Sequence, residues 1–276
     1  MKLARPLLAL GLCAAACSDD EFVPRWRVER LRVLAVVAEP PDARPGDVVT
    51  LTAHTAARAN ATGTPQVLWA TCPRLVIDNA TGARRCDGAP TVLAGDVVRF
   101  TLGAAPDAGA PWSFVGIACL GGSVALDPAT MQPRCDGGEG EVFLRTVRVR
   151  TNAPNHNPRI ARVALGDLTL VAGTPARVTA GRAASLRVEF EADAREATTE
   201  AQPDGTTRAT REELLTQFVT DTGTLEGSFR SDDDGATGAH AMQFTAPASG
   251  TARIWVVLSD GRGGFDFAAR TITVGP

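Results

Sequence analysis

The chain of 276 residues has no tyrosine, three histidines and a single lysine, Lys2; every other basic residue is arginine. Aromatics make up only 5%. So few titratable side chains leave a thin inventory for acid–base catalysis. His54, His156 and His240 are scattered, and none falls in an H-x3-H or HExxH spacing that would hold a metal. There is no G-x-S-x-G elbow and no phosphate-cradling glycine loop, the usual marks of nucleophilic and nucleotide chemistry. A net charge of −3 argues against a general nucleic-acid binder, which carries a basic face. The sequence therefore reads as a non-enzyme with no cofactor, no metal and no nucleic-acid partner.

What is present is a foldable, turn-rich chain. Hydrophobic residues are 44% and charged residues 21%, enough for a packed core. The 27 glycines and 18 prolines punctuate many short segments.

The first residues carry an export address. Lys2 and Arg5 precede the apolar run Leu7 to Leu12, then the small residues Ala14-Ala15-Ala16 and Cys17. The run is far short of the ~20 residues that span a bilayer. Its layout is that of a signal peptide over residues 1–16. A cysteine directly after small residues resembles the bacterial lipobox. That resemblance implies acylation of Cys17 and a membrane partner through the lipid. Cys13 is the poorer candidate, because bulky Leu12 precedes it. Losing residues 1–16 removes Lys2 and Arg5, so the mature chain has 26 basic and 31 acidic residues, net −5. Ser18, not Asp, follows the acylated position. By the lipoprotein resemblance this favours the outer membrane, on its periplasmic or surface face. Residues 17–26 read as a lipid tether.

Four cysteines stay in the exported part: Cys72, Cys86, Cys119 and Cys135. An even count in an oxidising compartment reads as disulfides. Zinc would want C-x2-C or nearby histidine, and neither occurs. Cys72 ends the run Val67 to Thr71, and Cys119 ends Phe114 to Ala118. If these runs are antiparallel neighbours, their cysteines lie at opposite poles, beyond the ~7 Å Cα reach of a bridge. The expected pairs are then local: Cys72–Cys86 and Cys119–Cys135.

Strand-like runs recur throughout: Arg30–Val36, Val48–Ala53, Val67–Cys72, Asp96–Leu102, Phe114–Cys119 and Glu141–Arg150. A second series covers Ile160–Leu165, Ala176–Thr179, Leu186–Phe190, Leu215–Thr220, Ala241–Phe244, Thr251–Leu258 and Phe265–Val274. Short strands separated by Gly, Pro and Asp, with no helical stripe, predict an all-β fold. Residues 152–158, around Asn155-His156-Asn157-Pro158, read as the linker between domain 27–151 and domain 159–276. Asp193 to Arg211 is expected to be a long polar loop. Thr210-Arg211-Glu212-Glu213 has the form of a helix capping box, but too short an apolar stretch follows it, and strand is the preferred reading.

The stretch Leu31-Arg32-Val33-Leu34-Ala35-Val36, continuing through Pro40-Pro41 to Pro45-Gly46-Asp47-Val48, resembles the opening of immunoglobulin-like domains in surface lipoproteins of Gram-negative bacteria. Ile254-Trp255-Val256-Val257-Leu258-Ser259-Asp260-Gly261, ending in Ile272-Thr273-Val274, is similar to the last two strands of PKD-like or bacterial Ig-like domains. The resemblance implies two tandem Ig-like antiparallel β-sandwiches. It says little of function, because such sandwiches host unrelated roles.

The remaining candidates are weak as sites. Asp232-Asp233-Asp234-Gly235 lacks EF-hand spacing and reads as a solvated turn. Asn155-His156-Asn157-Pro158 is similar to a cadherin calcium linker without its acids, so it reads as a spacer. Trp69 and Trp255 read as core. Trp112, in a turn-rich segment, is the one candidate ligand contact. The expected function is a non-catalytic envelope lipoprotein that binds or scaffolds through its stapled loops, with an envelope protein or glycan as partner. An accessory subunit of an outer-membrane assembly, or a carbohydrate-binding adhesin, are the alternatives.

Overall fold

The computed structural model describes residues 23–275 except 73–74, 78–83, 87–88, 105–110, 128–131, 151–154 and 233–237. Cys17 and the signal peptide lie outside the described residues. The described chain is all strand and turn, arranged as two tandem β-sandwiches.

In the first sandwich the strands are β1 (Arg32–Glu39), β2 (Asp42–Ala43), β3 (Val48–Ala56), β4 (Gln66–Thr71), β5 (Leu75–Ile77), β6 (Arg84–Cys86), β7 (Thr91–Ala94), β8 (Val97–Thr101), β9 (Trp112–Leu120), β10 (Ser123–Asp127), β11 (Gln132–Asp136) and β12 (Glu139–Val149). One sheet has the order β1-β3-β8 and the other β2-β12-β9-β4-β7. Their facing residues, among them Leu31, Leu51, Trp69, Phe114 and Val147, form the core. Alternation places these side chains inward, as period-two strands require. Gly116 of β9 sits opposite Phe143 and Trp69. The Phe143 ring lies where a Cβ on Gly116 would be and meets Trp69 edge-on at 4.8 Å.

β9 is buried on both faces. Trp112, Phe114 and Ala118 face the core, and Val115 and Ile117 face outward yet are also buried. The β10–β11 hairpin lies over that outer face against β4, β9 and β12, tied down by the Cys119–Cys135 disulfide with a Cα separation of 5.3 Å. β4 and β9 are antiparallel, with Gln66 opposite Cys119 and Thr71 opposite Phe114. Cys72 and Cys119 therefore lie at opposite ends, as the sequence argument requires.

The second sandwich contains β13 (Ile160–Leu165), β14 (Leu168–Thr169), β15 (Ala176–Thr179), β16 (Ala183–Phe190), β17 (Ala197–Ala201), β18 (Thr207–Arg211), β19 (Leu215–Thr220), β20 (Thr224–Leu225), β21 (Phe229–Ser231), β22 (Ala239–Thr245), β23 (Gly250–Ser259) and β24 (Phe265–Gly275). Its sheets have the orders β14-β13-β16-β22-β20 and β15-β24-β23-β19-β21. Leu186, Phe218, Phe244, Ile254 and Ile272 fill the space between them. One sequence expectation changes here. The segment expected as a long loop forms the β17–β18 hairpin around the Asp204-Gly205 turn. The β-branched residues Thr198, Thr199, Thr207 and Thr210 give it strand character despite its polarity. The capping-box residues supply the end of β18 and an extended connection, not a helix.

Candidate binding surfaces

The two sandwiches are docked. Val219, Trp255 and Val257 point away from the second core, and Val28, Leu34, Ala35 and Ala56 of the first sandwich cover them. Phe265 and Phe267 pack against the same cluster, and His54 stacks on Phe267 at 3.9 Å. Burial lowers the His54 pKa, while Asp266 and Asp96 pull the other way. Arg253 Nη2 crosses the waist to donate to Ala57 O at 2.7 Å. Its guanidinium also lies over Trp255 and is held by buried Asp221.

The start of the described chain belongs to this contact. Trp26 packs against the second core. Thr220 N donates to Trp26 O at 2.8 Å, and Val28 N donates to Thr220 O at 3.0 Å. The residue read as the end of a free tether is thus anchored on the second sandwich. A large indole finds more apolar cover there than in solvent.

Asn155 and Asn157 of the segment read as a linker are buried in a seam between the sandwiches. Asn155 Nδ2 donates to Asp260 Oδ2 at 2.7 Å. Asn157 Nδ2 donates to Ala38 O and Glu39 Oε2, and its Oδ1 accepts from Phe265 N. Asp260 in turn accepts the backbone N–H groups of Arg262, Gly263 and Gly264, closing the β23–β24 turn. Arg145 reaches from β12 to donate to Gly263 O and covers the Phe265 ring. Burial pushes its pKa down to about 10, against the pull of Asp260 and Asp42. Buried Glu212 pairs with Arg262, and burial raises its pKa. His156 is exposed and bonds Glu196. Arg145 and Arg262 therefore lie beside the carboxylates of this seam, Arg262 on Glu212 and Arg145 near Asp260 and Asp42. Among the described residues no cluster of His, Cys, Asp or Glu suits a metal.

The structure redistributes the other candidates. Trp112 is 8% exposed and packs at the start of β9 beside Phe100, inside the first core. Ligand contact at its ring needs exposure that this position lacks. Trp69 is in the same core and donates its indole N–H to Gly95 O at 2.7 Å. No disulfide joins Cys72 to Cys86 in this structure. The β5–β6 register sets Cys86 opposite Leu75, three residues past Cys72. Asp232 is not a solvated turn residue: it holds Arg195, accepts from Leu214 N at 2.8 Å and lies 3.2 Å from His240 Nε2. Residues 233–237 of that acidic run lie outside the described residues.

His240 also bonds Thr216 through Nδ1 at 2.7 Å. A hydroxyl, imidazole and carboxylate in a row have the order of a nucleophilic triad. Thr216 and His240 are both fully buried, so no substrate reaches the hydroxyl. The string is a core link between β19 and β22. Sequence reading missed it because His240 and Thr216 are 24 positions apart in chain order with no motif between them.

No family model matches the chain, and no curated protein matches it in sequence. In structure it is similar to the D0–D1 domains of Intimin, at 12% identity and TM-score 0.25 over 87% of this chain and 98% of that one. It is similar to the Yersinia pseudotuberculosis adhesin InvE, at 16% identity and TM-score 0.23 over 88% of this chain and 60% of that one. It is also similar to tandem Ig repeats of Dlar, at 11% identity and TM-score 0.27 over 90% and 99%. Scores this low carry no argument about role, and the tandem-sandwich architecture rests on the strand pairing of this chain itself.

Proposed function

We propose that the chain is a non-catalytic, lipid-anchored binding or scaffold module of the bacterial cell envelope, acylated at Cys17 and held at the outer membrane. The observation that carries this reading is the docked waist. Two sandwiches joined by a shared apolar cluster and a buried polar seam present their outer surfaces in one fixed arrangement. Preorganisation of that kind lowers the entropic cost of binding. The β10–β11 hairpin, stapled by Cys119–Cys135, is the contact surface favoured on the first sandwich. Val142 and Leu144 flank it on β12, 51% and 45% exposed. A glycan partner finds less support. Phe229 is the one aromatic among the exposed large hydrophobics described, so there is no aromatic platform.

Anchoring sets the geometry. Cys17 lies six residues before Val23, a reach of roughly 20 Å when fully extended. The docked Trp26 then keeps the second sandwich close to the membrane. Cys17→Ser is expected to move the protein from the membrane to the soluble fraction; retention of the variant on washed membranes would sink the anchor assignment. Crosslinking in the native envelope, read by mass spectrometry, tests the scaffold role. A stoichiometric protein partner linked through the β10–β11 hairpin supports it, and crosslinks confined to glycan would replace it with the adhesin reading.

A further inference from the structure

The second sandwich is open at the end of β24 away from the Asp260–Gly264 turn. There a groove of about 650 Å³ runs between edge strand β15 and the β13–β14 hairpin. Its volume falls in the range of small-molecule sites, ~300–1,000 Å³. The floor is apolar: Leu165, Val178, Ala184 and Ala246 line it. Leu168, at the mouth, is 41% exposed.

The rim carries two cations and one acid, Arg177, Arg182 and Asp167. Elsewhere in this sandwich Arg195 is held by Asp232, Arg230 by Glu226, Arg253 by Asp221 and Arg262 by Glu212, while Arg270 bonds the backbone carbonyls of Leu170 and Ala269. Arg177 and Arg182 make no ion pair or side-chain hydrogen bond among the described residues. Two uncommitted guanidinium forks beside an apolar floor suit a planar or tetrahedral anion attached to a hydrocarbon chain. The single Asp167 leaves the rim net positive.

We propose that this groove binds a small anionic amphiphile, with the acyl chain on the Leu165–Val178–Ala184 floor and a carboxylate or phosphate head between Arg177 and Arg182. Free fatty acids and anionic phospholipid headgroups share that chemistry. The site is separate from the waist and from the stapled hairpin, so it stands or falls independently of the scaffold reading.

The test uses the full chain with Cys17→Ser, so that neither an attached lipid nor detergent competes for the groove. Decanoate, decanol and decyltrimethylammonium are titrated by calorimetry below their micelle concentrations, and phosphatidylglycerol and phosphatidylcholine vesicles are compared by co-sedimentation. Decanoate is expected to bind one to one, about tenfold tighter than decanol, with no binding of the cation. Arg177→Gln with Arg182→Gln should reduce decanoate to the level of decanol. Ala184→Trp, which fills the floor, should abolish both, and thermal melting checks that each variant folds. If only phosphatidylglycerol vesicles bind, and the double arginine variant loses them, the same chemistry is supplied by a membrane. Equal affinity for decanoate and decanol, or decanoate binding unchanged in the double variant, overturns the proposal. So does binding of neither amphiphile nor vesicle.

Discussion

His54 lies against Phe267 from the opposite sandwich, and its partial burial favours the neutral imidazole. Its folded pKa is lowered from the ordinary 6.5. The stability it contributes is therefore complete above pH 6.5 and is lost as pH falls through the folded value. The waist is expected to loosen as pH falls below 6.5, seen as a rise in interdomain distance by small-angle scattering or resonance energy transfer. His54→Phe keeps the stack and cannot titrate, so it should remove this pH response; an unchanged response would place the titrating group elsewhere. In the sequence His54 is only one of three scattered histidines, just past the strand-like run Val48–Ala53. Its partner is more than two hundred residues away, and no local pattern points to it.

Among elements, the β10–β11 hairpin shows most directly how local and tertiary information divide. The sequence argument for a local Cys119–Cys135 bridge rests on strand polarity, and the observed β4–β9 register has that polarity. The hairpin strands themselves escaped notice, because Gln132-Pro133-Arg134 has no strand-like alternation of apolar residues. Cys135→Ser is expected to lower stability by about 3 kcal/mol on the loop-closure estimate. It should also free the hairpin, exposing Val115 and Ile117 to a hydrophobic dye and the segment to limited proteolysis. A variant as resistant as the parent would mean that packing alone holds the hairpin. For Cys72 and Cys86, which no disulfide joins in this structure, non-reducing peptide mapping of exported protein is expected to recover the two residues unlinked; a Cys72–Cys86 linked peptide would show that the oxidising compartment closes the local bridge.

For the whole molecule, the waist decides whether two sandwiches behave as one body. Trp255 is its largest buried side chain, covered by Leu34 and Ala35 of the first sandwich. Trp255→Ala should cost about 3 kcal/mol through lost packing and the cavity left behind. It should also split a single calorimetric transition into two, one per sandwich. One unsplit transition in the variant would show that the Asn155–Asp260 seam couples the sandwiches without the apolar cluster.

Residue order alone determined the class of fold and the position of most sandwich strands. Period-two alternation and Gly, Asp and Pro turns are local signals, so Ile160–Leu165, Ala176–Thr179 and Leu215–Thr220 coincide with β13, β15 and β19. It also carried a clue that went unused: Ile254-Trp255-Val256-Val257-Leu258 is apolar on both faces. Such a run states that a strand is covered twice, but not by what. Only the tertiary structure decided that the stapled hairpin covers β9 and that the neighbouring sandwich covers β23. The same holds for Asn155 and Asn157, which read as polar linker residues and are buried. Their amides bond Asp260, Ala38 and Phe265, groups brought together only when both sandwiches have formed. A side chain's burial depends on every element that reaches it, and contacts between distant elements leave no periodic mark on the chain.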